Sequence, residues 1–290
     1  MIKKDKIITV KGNRILGYAE YGDPNGQPIF YFHGFPGSRL DVSRFDATAS
    51  SKGFRLIGID RPGTGLSPID RKRTILSWAT EMVHFADELK IEKFSIVGYS
   101  GGAPYVAACA YAIPHRLNGA AIVSGMAPLE KIATQKGLTR RQQIFYKAFK
   151  AIPGFSYIMA PLTLLTLKNS KMMNQLINEM PAADQVLFDD PDFRKLIITS
   201  TLESFKNGMA GPVQEMKLLF NPWGFDLEDI HFPITLWHGA LDTRTPLVHA
   251  YTYAKLLKNV QLKILETEGH HSLIQKHIEE ILKLASEGRV

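Results

Sequence analysis

Short apolar runs alternate with stretches of helical spacing along the first part of the chain. The predicted strands are residues 28–32, 54–59, 94–97 and 117–124. Between them, residues 41–52, 74–90 and 103–111 have the pattern or composition of helices. Strands that alternate with helices in this way predict parallel β-α-β units, and therefore a sheet covered by helices on both faces.

The alternation stops after residue 125. Residues 126–230 are predicted to form several helices and loops without a clear strand, and the strand pattern resumes at 233–237 and 260–265. We therefore predict an α/β core formed by residues 1–125 and 231–290, with a helical cap, or lid, at 126–230. A hairpin is predicted over residues 6–21, and a helix is predicted to open at Thr245 (N-cap) and Pro246 (first position).

A single serine stands where the strand at 94–97 passes into an Ala-rich helix. The sequence there is Gly98-Tyr99-Ser100-Gly101-Gly102, which has the pattern of a nucleophile elbow, G-x-S-x-G. In such a turn the serine has a strained backbone and an exposed hydroxyl, and the glycines relieve crowding. The alternative is a glycine-rich β–α turn that packs closely and has no chemical role.

A serine hydroxyl needs a base to take its proton, and the base needs an orienting carboxylate. Asp242 follows the strand near 237, and His270 follows the strand near 265, which is the order that the elbow requires. Taken alone, Asp242 could be a turn residue and His270 a surface loop residue. His271 is the rival base, and His270 is favoured because it directly follows Gly269.

The carboxyl ends of parallel strands meet at one edge of a sheet, so a site is predicted there. An oxyanion at this edge would need two backbone N–H donors. Gly101 supplies one at the start of the helix, and the loop after the strand at 28–32 supplies the other. Pro36 has no N–H, so Phe35 is the predicted donor, and His33 is interpreted as a residue that organises the loop.

Composition and charge exclude few classes. The chain has 290 residues, 45% of them hydrophobic, and a net charge of +7. The basic residues are interpreted as scattered over a solvated surface, so no nucleic-acid partner is predicted. The single cysteine, Cys109, is interpreted as a packing residue. No secretory signal pattern is present, and the apolar stretch at 155–167 is too short to insert across a membrane, so a cytoplasmic location is expected.

Seven of the nine methionines fall between Met126 and Met216, inside the predicted cap. They could form an ordinary helical core. They could also form an adaptable apolar pocket for the acyl or alkyl part of a substrate. The two interpretations are compatible.

The chain resembles the α/β-hydrolase superfamily, in the branch with a helical cap. The resemblance rests on five motifs: HGFPGS, IDRPGTGLS, GYSGG, LWHGALD and EGHHS. It covers about residues 6–125 and 222–285. It implies an eight-stranded, mostly parallel sheet and a hydrolase that needs no cofactor or metal. It also implies Ser100 as nucleophile, Asp242 as acid, His270 as base, and Phe35 and Gly101 as oxyanion donors. The serine in the elbow argues against the dehalogenases and epoxide hydrolases, whose nucleophile is a carboxylate.

Three functions remain open at this point. The first is a serine hydrolase that cleaves a small carboxylic ester through an acyl-enzyme. The second is a peptidase of the proline iminopeptidase kind, which would need cap carboxylates to hold a substrate amine. Glu179, Asp184 and Glu203 are available, although nothing distinguishes them from solvated helix charges. The third is a non-hydrolytic small-ligand receptor or a cofactor-free lyase on the same fold.

Overall fold

One sheet organises the chain in the computed structural model, which describes residues 5–132 and 137–288. Its strands are β1 (Asp5–Val10), β2 (Arg14–Gly22), β3 (Gln27–Phe32), β4 (Phe54–Ile59), β5 (Phe94–Tyr99), β6 (Leu117–Val123), β7 (Ile234–Gly239) and β8 (Val260–Leu265). They lie in the order β1-β2-β4-β3-β5-β6-β7-β8. β2 is antiparallel to β1 and β4, and the other neighbouring pairs are parallel. The predicted eight-stranded, mostly parallel sheet is confirmed.

Helices follow most of the strands. They are α1 (Asp46–Ser51), α2 (Ser77–Glu88), α3 (Ala103–Ala112), α4 (Leu129–Ile132), α5 (Arg140–Ala151), α6 (Phe155–Lys168), α7 (Ser170–Asn178), α8 (Ala182–Phe188), α9 (Pro191–Glu203), α10 (Ala210–Phe220), α11 (Val248–Leu256) and α12 (His270–Glu287). Short 3₁₀ turns cover Asp41–Phe45, Ser100–Gly102, Pro114–Arg116 and Leu227–Asp229.

Alternate residues of the central strands point to opposite faces of the sheet, as the period of a strand requires. Phe30 and Phe32 of β3 pack into a core with α2, α3 and α11. Ile29 and Tyr31 pack into a second core with α1 and α12. Because both faces are covered, the central strands are apolar at nearly every position, and this is why their sequences show no alternation.

Two local predictions differ from the structure. The helix predicted at 41–52 is divided into a 3₁₀ turn and α1. The helix predicted to open at Thr245 and Pro246 begins at Val248, so Thr245 is not its N-cap. The Thr245 hydroxyl instead lies within hydrogen-bond distance of two acceptors, the carbonyl of Ser124 at 3.0 Å and the carboxylate of Asp242 at 2.9 Å. The tertiary partners of Thr245 therefore outweigh its local capping preference.

Helices α4–α10 occupy the stretch between β6 and β7, which is the interval of the predicted cap. A small core of their own joins α7, α8 and α9, formed by Met173, Ile177, Met180, Phe188 and Phe193. Other side chains of the stretch pack into the core that contains Phe30 and Phe32, among them Met126, Tyr146 and Leu219. The boundaries of the cap as a separate domain stay a prediction.

Candidate active site

Ser100 lies in the turn between β5 and α3, with a backbone φ of 54°. This left-handed angle is uncommon for a residue with a side chain, and the surrounding packing holds it. A Cβ atom on Gly102 would lie 2.1 Å from the carbonyl oxygen of Phe32, and one on Gly98 would lie 2.5 Å from Val106. The spacing of the glycines in the motif therefore follows from the close approach of β3 and α3 to the turn.

The two predicted oxyanion donors are neighbours. A Cβ atom on Gly101 would lie 3.2 Å from the backbone nitrogen of Phe35, so the two backbone segments face each other beside Ser100. Neither the Phe35 N–H nor the Gly101 N–H donates a hydrogen bond to another residue of the described chain. Both residues line the same cavity as Ser100. Two free N–H groups are thus available to a ligand atom at this point.

Asp242 and His270 form a buried pair. The His270 Nδ1 atom lies 2.7 Å from Asp242 Oδ2. His270 is 3% exposed and Asp242 is 4% exposed. The Arg244 and Thr245 N–H groups both donate to Asp242 Oδ1, at 2.8 Å each. Burial by itself would raise the pKa of Asp242. The charge and hydrogen bond of His270, the nearby His238 and the Thr245 N–H outweigh burial and hold this pKa below its usual range.

Ser100 and His270 line one cavity together with Phe35 and Gly101. Within the described part of the chain, no hydrogen bond joins the Ser100 hydroxyl to the His270 ring. Contacts of this kind often tighten only when a substrate is bound. The Tyr99 ring packs 5.0 Å from the His270 ring, centroid to centroid, and restricts its position from the side of the elbow.

The adjacent histidine, His271, has different partners. Its Nδ1 atom lies 2.9 Å from the Tyr99 hydroxyl, and its ring packs edge-on against Phe188 and Phe193. Burial, with the positive charges around it, lowers the pKa of His271 well below its ordinary value. The His271 ring is therefore held by residues of α8 and α9, whereas the His270 ring faces a carboxylate.

Asp184 of α8 holds the N-terminus of α12, a role that no local pattern around Asp184 predicts. Its Oδ2 accepts the His270 N–H at 2.8 Å. Its Oδ1 accepts the N–H groups of His271 and Ser272 at 2.9 and 2.8 Å. The residue is 1% exposed, which corrects its interpretation as a solvated charge. The usual N-cap position of α12 is Gly269, which has no side chain to do this.

The other two carboxylates proposed for an amine site lie in ion pairs. Glu179 is exposed and pairs with Arg141 at 2.7 Å. Glu203 pairs with Arg39 and Lys206. Neither residue lines the cavity that contains Ser100.

Arg61 supports the loop that contains Phe35. Its guanidinium donates to the carbonyls of His33 and Gly34, at 2.8 and 3.1 Å, and it lies 2.7 Å from Glu215 of α10. All of these side chains are buried. Burial would raise the pKa of Glu215, but the charges of Arg61 and Arg73 keep this pKa below its ordinary value. A buried ion pair with α10 thus fixes the loop. This helix belongs to the stretch between β6 and β7, which we call the insertion. His33 acts on the same loop, because its Nδ1 lies 2.8 Å from the Gly34 carbonyl.

The cavity beside Ser100 has a volume of about 420 Å³ and a mainly apolar wall. The insertion supplies much of this wall, through Met126, Leu167, Met173, Leu176, Phe188 and Leu219. Thr163 and Thr166 add hydroxyl groups, and Arg244 adds a cation. A cavity of this size and lining suits a small organic molecule that is largely apolar.

Comparison with known proteins gives the family. A family model described as the alpha/beta hydrolase fold matches residues 27–277. The chain is 30% identical to a non-heme chloroperoxidase of Streptomyces lividans, over 92% of this chain and 93% of that protein. It is 25% identical to an uncharacterized hydrolase of Saccharomyces cerevisiae, over 97% of this chain and 96% of that one. The chain therefore belongs to the alpha/beta hydrolase family, and its assignment as a hydrolase of this fold is supported.

A solved structure extends the likeness over nearly the whole chain. The esterase from Exiguobacterium antarcticum superposes with a TM-score of 0.68 at 16% identity, and covers 98% of this chain and 99% of that one. At this identity the likeness concerns the fold alone.

Two other kinds of feature are absent from residues 5–132 and 137–288, a metal-binding cluster and a membrane-spanning helix. No cluster of three histidine, cysteine or acidic side chains there could hold a metal ion. No helix of that part is both long and apolar enough to cross a membrane.

The single cysteine, Cys109, is buried, and burial raises the pKa of its thiol.

Proposed function

We propose that this protein is a serine hydrolase that cleaves carboxylic esters through an acyl-enzyme. Ser100 is the nucleophile, His270 the general base and Asp242 the carboxylate that orients it. The observation that carries the proposal is the buried Asp242–His270 pair, 2.7 Å apart, on the wall of a cavity that Ser100 also lines. Such a pair is what converts a serine hydroxyl into a nucleophile.

In the first half of the reaction, the Ser100 oxygen attacks the ester carbonyl while His270 Nε2 takes its proton. The carbonyl oxygen becomes an oxyanion between the N–H groups of Phe35 and Gly101. Each such donor typically contributes about 3 kcal/mol to the stabilisation of the transition state. The imidazolium, held by Asp242, then donates the proton to the leaving alkoxide. The alcohol departs, and the acyl group remains on Ser100.

Water completes the cycle. It takes the place of the alcohol, loses a proton to His270 and attacks the acyl carbonyl. The second tetrahedral intermediate collapses, the proton returns to Ser100, and the carboxylic acid leaves. No group outside this chain, other than water and substrate, is needed to balance the reaction.

The contacts of the acidic residues favour an ester over an N-terminal peptide. An aminopeptidase needs a carboxylate in the cavity to bind the substrate amine. Asp184 is committed to three backbone N–H groups. Asp41 lines the cavity, but it accepts a hydrogen bond from Tyr31 and lies beside the Arg44 guanidinium. The largely apolar wall formed by the insertion instead suits the acyl or alkyl group of an ester.

The test compares the wild-type protein with Ser100→Ala on a series of p-nitrophenyl esters of increasing acyl length. We expect at least a thousand-fold loss of kcat/KM in the variant, because activity without the nucleophile falls toward the residual level of the binding site alone. Ser43→Ala, a partly exposed serine of the first 3₁₀ turn, is the control and should retain full activity. Equal rates for wild type and Ser100→Ala would contradict the mechanism.

A fluorophosphonate probe separates this proposal from a ligand receptor on the same fold. The proposal expects both labelling of Ser100 and turnover of at least one ester in the series. Labelling without turnover of any ester or anilide would favour the receptor. Turnover of proline naphthylamide with no ester hydrolysis would favour the peptidase.

A further inference from the structure

The positive charge of the chain is concentrated on the first part of the helical insertion. Between Lys131 and Asn178 the sequence has eight lysines and arginines and no aspartate or glutamate. The whole chain has a net charge of +7, so the remaining residues are close to neutral in sum. The basic residues themselves are spread along the stretch, and its excess of positive charge comes from the absence of acidic residues.

The same stretch exposes many large apolar side chains. In the part of the chain that the structure describes, fourteen such side chains are strongly exposed, and six of them lie between Ile144 and Leu165. We call these six the apolar face. Its members are Ile144, Ile152, Tyr157, Ile158, Leu162 and Leu165, which are 45–59% exposed. Contiguous exposed apolar groups mark a surface that contacts something other than water.

Helix α6 contributes four members of the apolar face, and they lie on one side of it. Residues 157, 158, 162 and 165 span less than half of the helical circumference. The opposite side of α6 carries Thr163, Thr166 and Leu167, which line the cavity beside Ser100. The exposed stripe is therefore not the cavity wall, and a single helix separates it from the cavity.

Exposed lysines flank the apolar face along the chain. Lys147 and Lys150 lie on the exposed side of α5, and Lys168 and Lys171 lie at the end of α6 and the start of α7. None of these four makes an ion pair with a residue that the structure describes. The Lys217 ammonium lies 4.6 Å from the Tyr157 ring centroid, at the edge of the stripe. Long lysine side chains can cover apolar surface while their charges reach outward.

We propose that the apolar face and these cations dock the protein on the surface of an anionic lipid bilayer, without spanning it. A helix with aliphatic and aromatic groups on one side and lysines around them lies in the plane of a lipid interface. The aliphatic groups enter the boundary of the acyl chains, and the lysines contact the anionic headgroups. A bilayer of this kind would therefore contact both the exposed apolar side chains and the lysines of this surface.

Nucleic acid fits this surface less well. A phosphate backbone would neutralise the lysines, but it offers no hydrocarbon phase to Ile158, Leu162 and Leu165. An acidic protein has the same shortcoming unless it also presents an apolar patch of matching shape. A lipid surface requires no such match, because its hydrocarbon is fluid and its charge is diffuse.

The test measures flotation of the full-length protein with vesicles of phosphatidylcholine, with and without phosphatidylglycerol. We expect the wild type to bind the anionic vesicles at least about tenfold more tightly than the neutral ones, and to lose this preference at high salt. Lys147→Glu/Lys150→Glu should weaken binding to the anionic vesicles by about tenfold or more. Leu162→Ser/Leu165→Ser should weaken it by a similar factor, because the buried apolar area is lost.

Two controls make the result specific to this surface. Lys255→Glu/Lys258→Glu reverses two exposed lysines at the end of α11 and should bind the vesicles like the wild type. Far-UV circular dichroism and thermal unfolding check that each variant is folded. The proposal is overturned by equal binding to both kinds of vesicle, by unchanged binding of the leucine variant, or by equal losses in the α5 and α11 lysine variants. Tighter binding to duplex DNA than to the anionic vesicles at the same salt would also overturn it.

Discussion

Asp184 Oδ2 accepts a hydrogen bond from the backbone N–H of His270 at 2.8 Å, across 86 residues of sequence. His270 is the first residue of α12, so the carboxylate lies at the positive end of that helix, where a negative charge is stabilising. A Cβ atom on Gly269 would lie 2.5 Å from Asp184 Oδ2, so a glycine is required for this approach. The insertion therefore fixes the helix that carries the proposed base.

Replacement of Asp184 should affect both stability and activity. Asp184→Asn keeps the shape of the side chain but removes one of its two acceptors and the charge. We expect the free energy of unfolding to fall by about 1–3 kcal/mol, since buried N–H groups lose their partner. We also expect kcat to fall more than KM rises, because His270 is displaced while the apolar cavity persists. Urea unfolding and ester kinetics measure the two effects.

Asp190→Asn is the matched control for Asp184→Asn. Asp190 is an exposed N-cap of α9, where its side chain accepts from the Asp192 N–H. Asparagine caps nearly as well at such a position, so stability and kcat should hardly change. A loss of stability in Asp184→Asn with unchanged kcat and KM would mean that Asp184 does not position His270.

The two neighbouring histidines should differ sharply when they are replaced. His270→Gln removes the proposed base and should lower kcat by at least a thousand-fold, as loss of a triad member does elsewhere. His271→Gln changes a ring whose hydrogen-bond partner is Tyr99, and should lower kcat by less than about tenfold. Its main effect should be a stability loss of about 1 kcal/mol. The reverse order of activities would identify His271 as the base.

The ionised Asp242 should make stability depend on pH in the acid range. The folded-state pKa of Asp242 lies below its ordinary value, and the unfolded-state pKa is about 3.9. Its stabilising contribution is therefore complete above about pH 4 and is lost as the pH falls toward the folded-state pKa. The difference in free energy of unfolding between wild type and Asp242→Asn should shrink below about pH 4. Urea titrations at several pH values measure this, and a difference that grows toward acid would contradict it.

The elbow should not tolerate a methyl group at its last glycine. In Gly102→Ala the new Cβ would lie 2.1 Å from the Phe32 carbonyl oxygen, so β3 or α3 must move. We expect a loss of more than about 2 kcal/mol in the free energy of unfolding. Gly12→Ala, in the open turn between β1 and β2, meets nothing within 4 Å and should lose only about 1 kcal/mol from its positive φ. Equal losses in thermal or urea unfolding would show that the elbow can relax.

Removal of the buried charge on Glu215 should be costly. Glu215→Gln leaves the Arg61 and Arg73 guanidinium groups without their buried counter-charge. We expect a loss of about 3–5 kcal/mol in the free energy of unfolding. Glu179→Gln, which breaks an exposed ion pair with Arg141, should change it by less than about 1 kcal/mol. Similar values for the two variants in urea unfolding would show that the buried pair contributes little.

Much of the architecture followed from local patterns in the sequence. A buried strand, a glycine-rich turn and a small-residue helix are contiguous around Ser100, so their order alone predicted the elbow. The sequential β-α-β pattern predicted a parallel sheet, and the resemblance to a known family supplied the number of strands. The positions of Asp242 and His270 after later strands were predicted because carboxyl ends of parallel strands share one edge.

Contacts between residues far apart in sequence could not be predicted from these local patterns. Asp184, Glu179 and Glu203 have the same chemical character in sequence, and only the packing of α8 against α12 distinguishes the first as a buried acceptor of three N–H groups. The pairing of Arg61 with Glu215 of α10 could not be predicted for the same reason, since it depends on the packing of distant segments.

The sequence by itself determined the order of strands and helices, the elbow at Ser100 and the places where a carboxylate and a histidine follow the strands. The tertiary structure alone decided the partners of the adjacent histidines, the role of Asp184, the reassignment of Thr245 and the side of α6 that faces the cavity. The physical reason is that helices, strands and tight turns depend on backbone geometry and on the spacing of hydrophobic residues. Both can be seen in residues that are close together in sequence. Buried polar contacts arise where helices far apart in sequence meet, and each donor or acceptor there takes whichever partner the packing brings within reach.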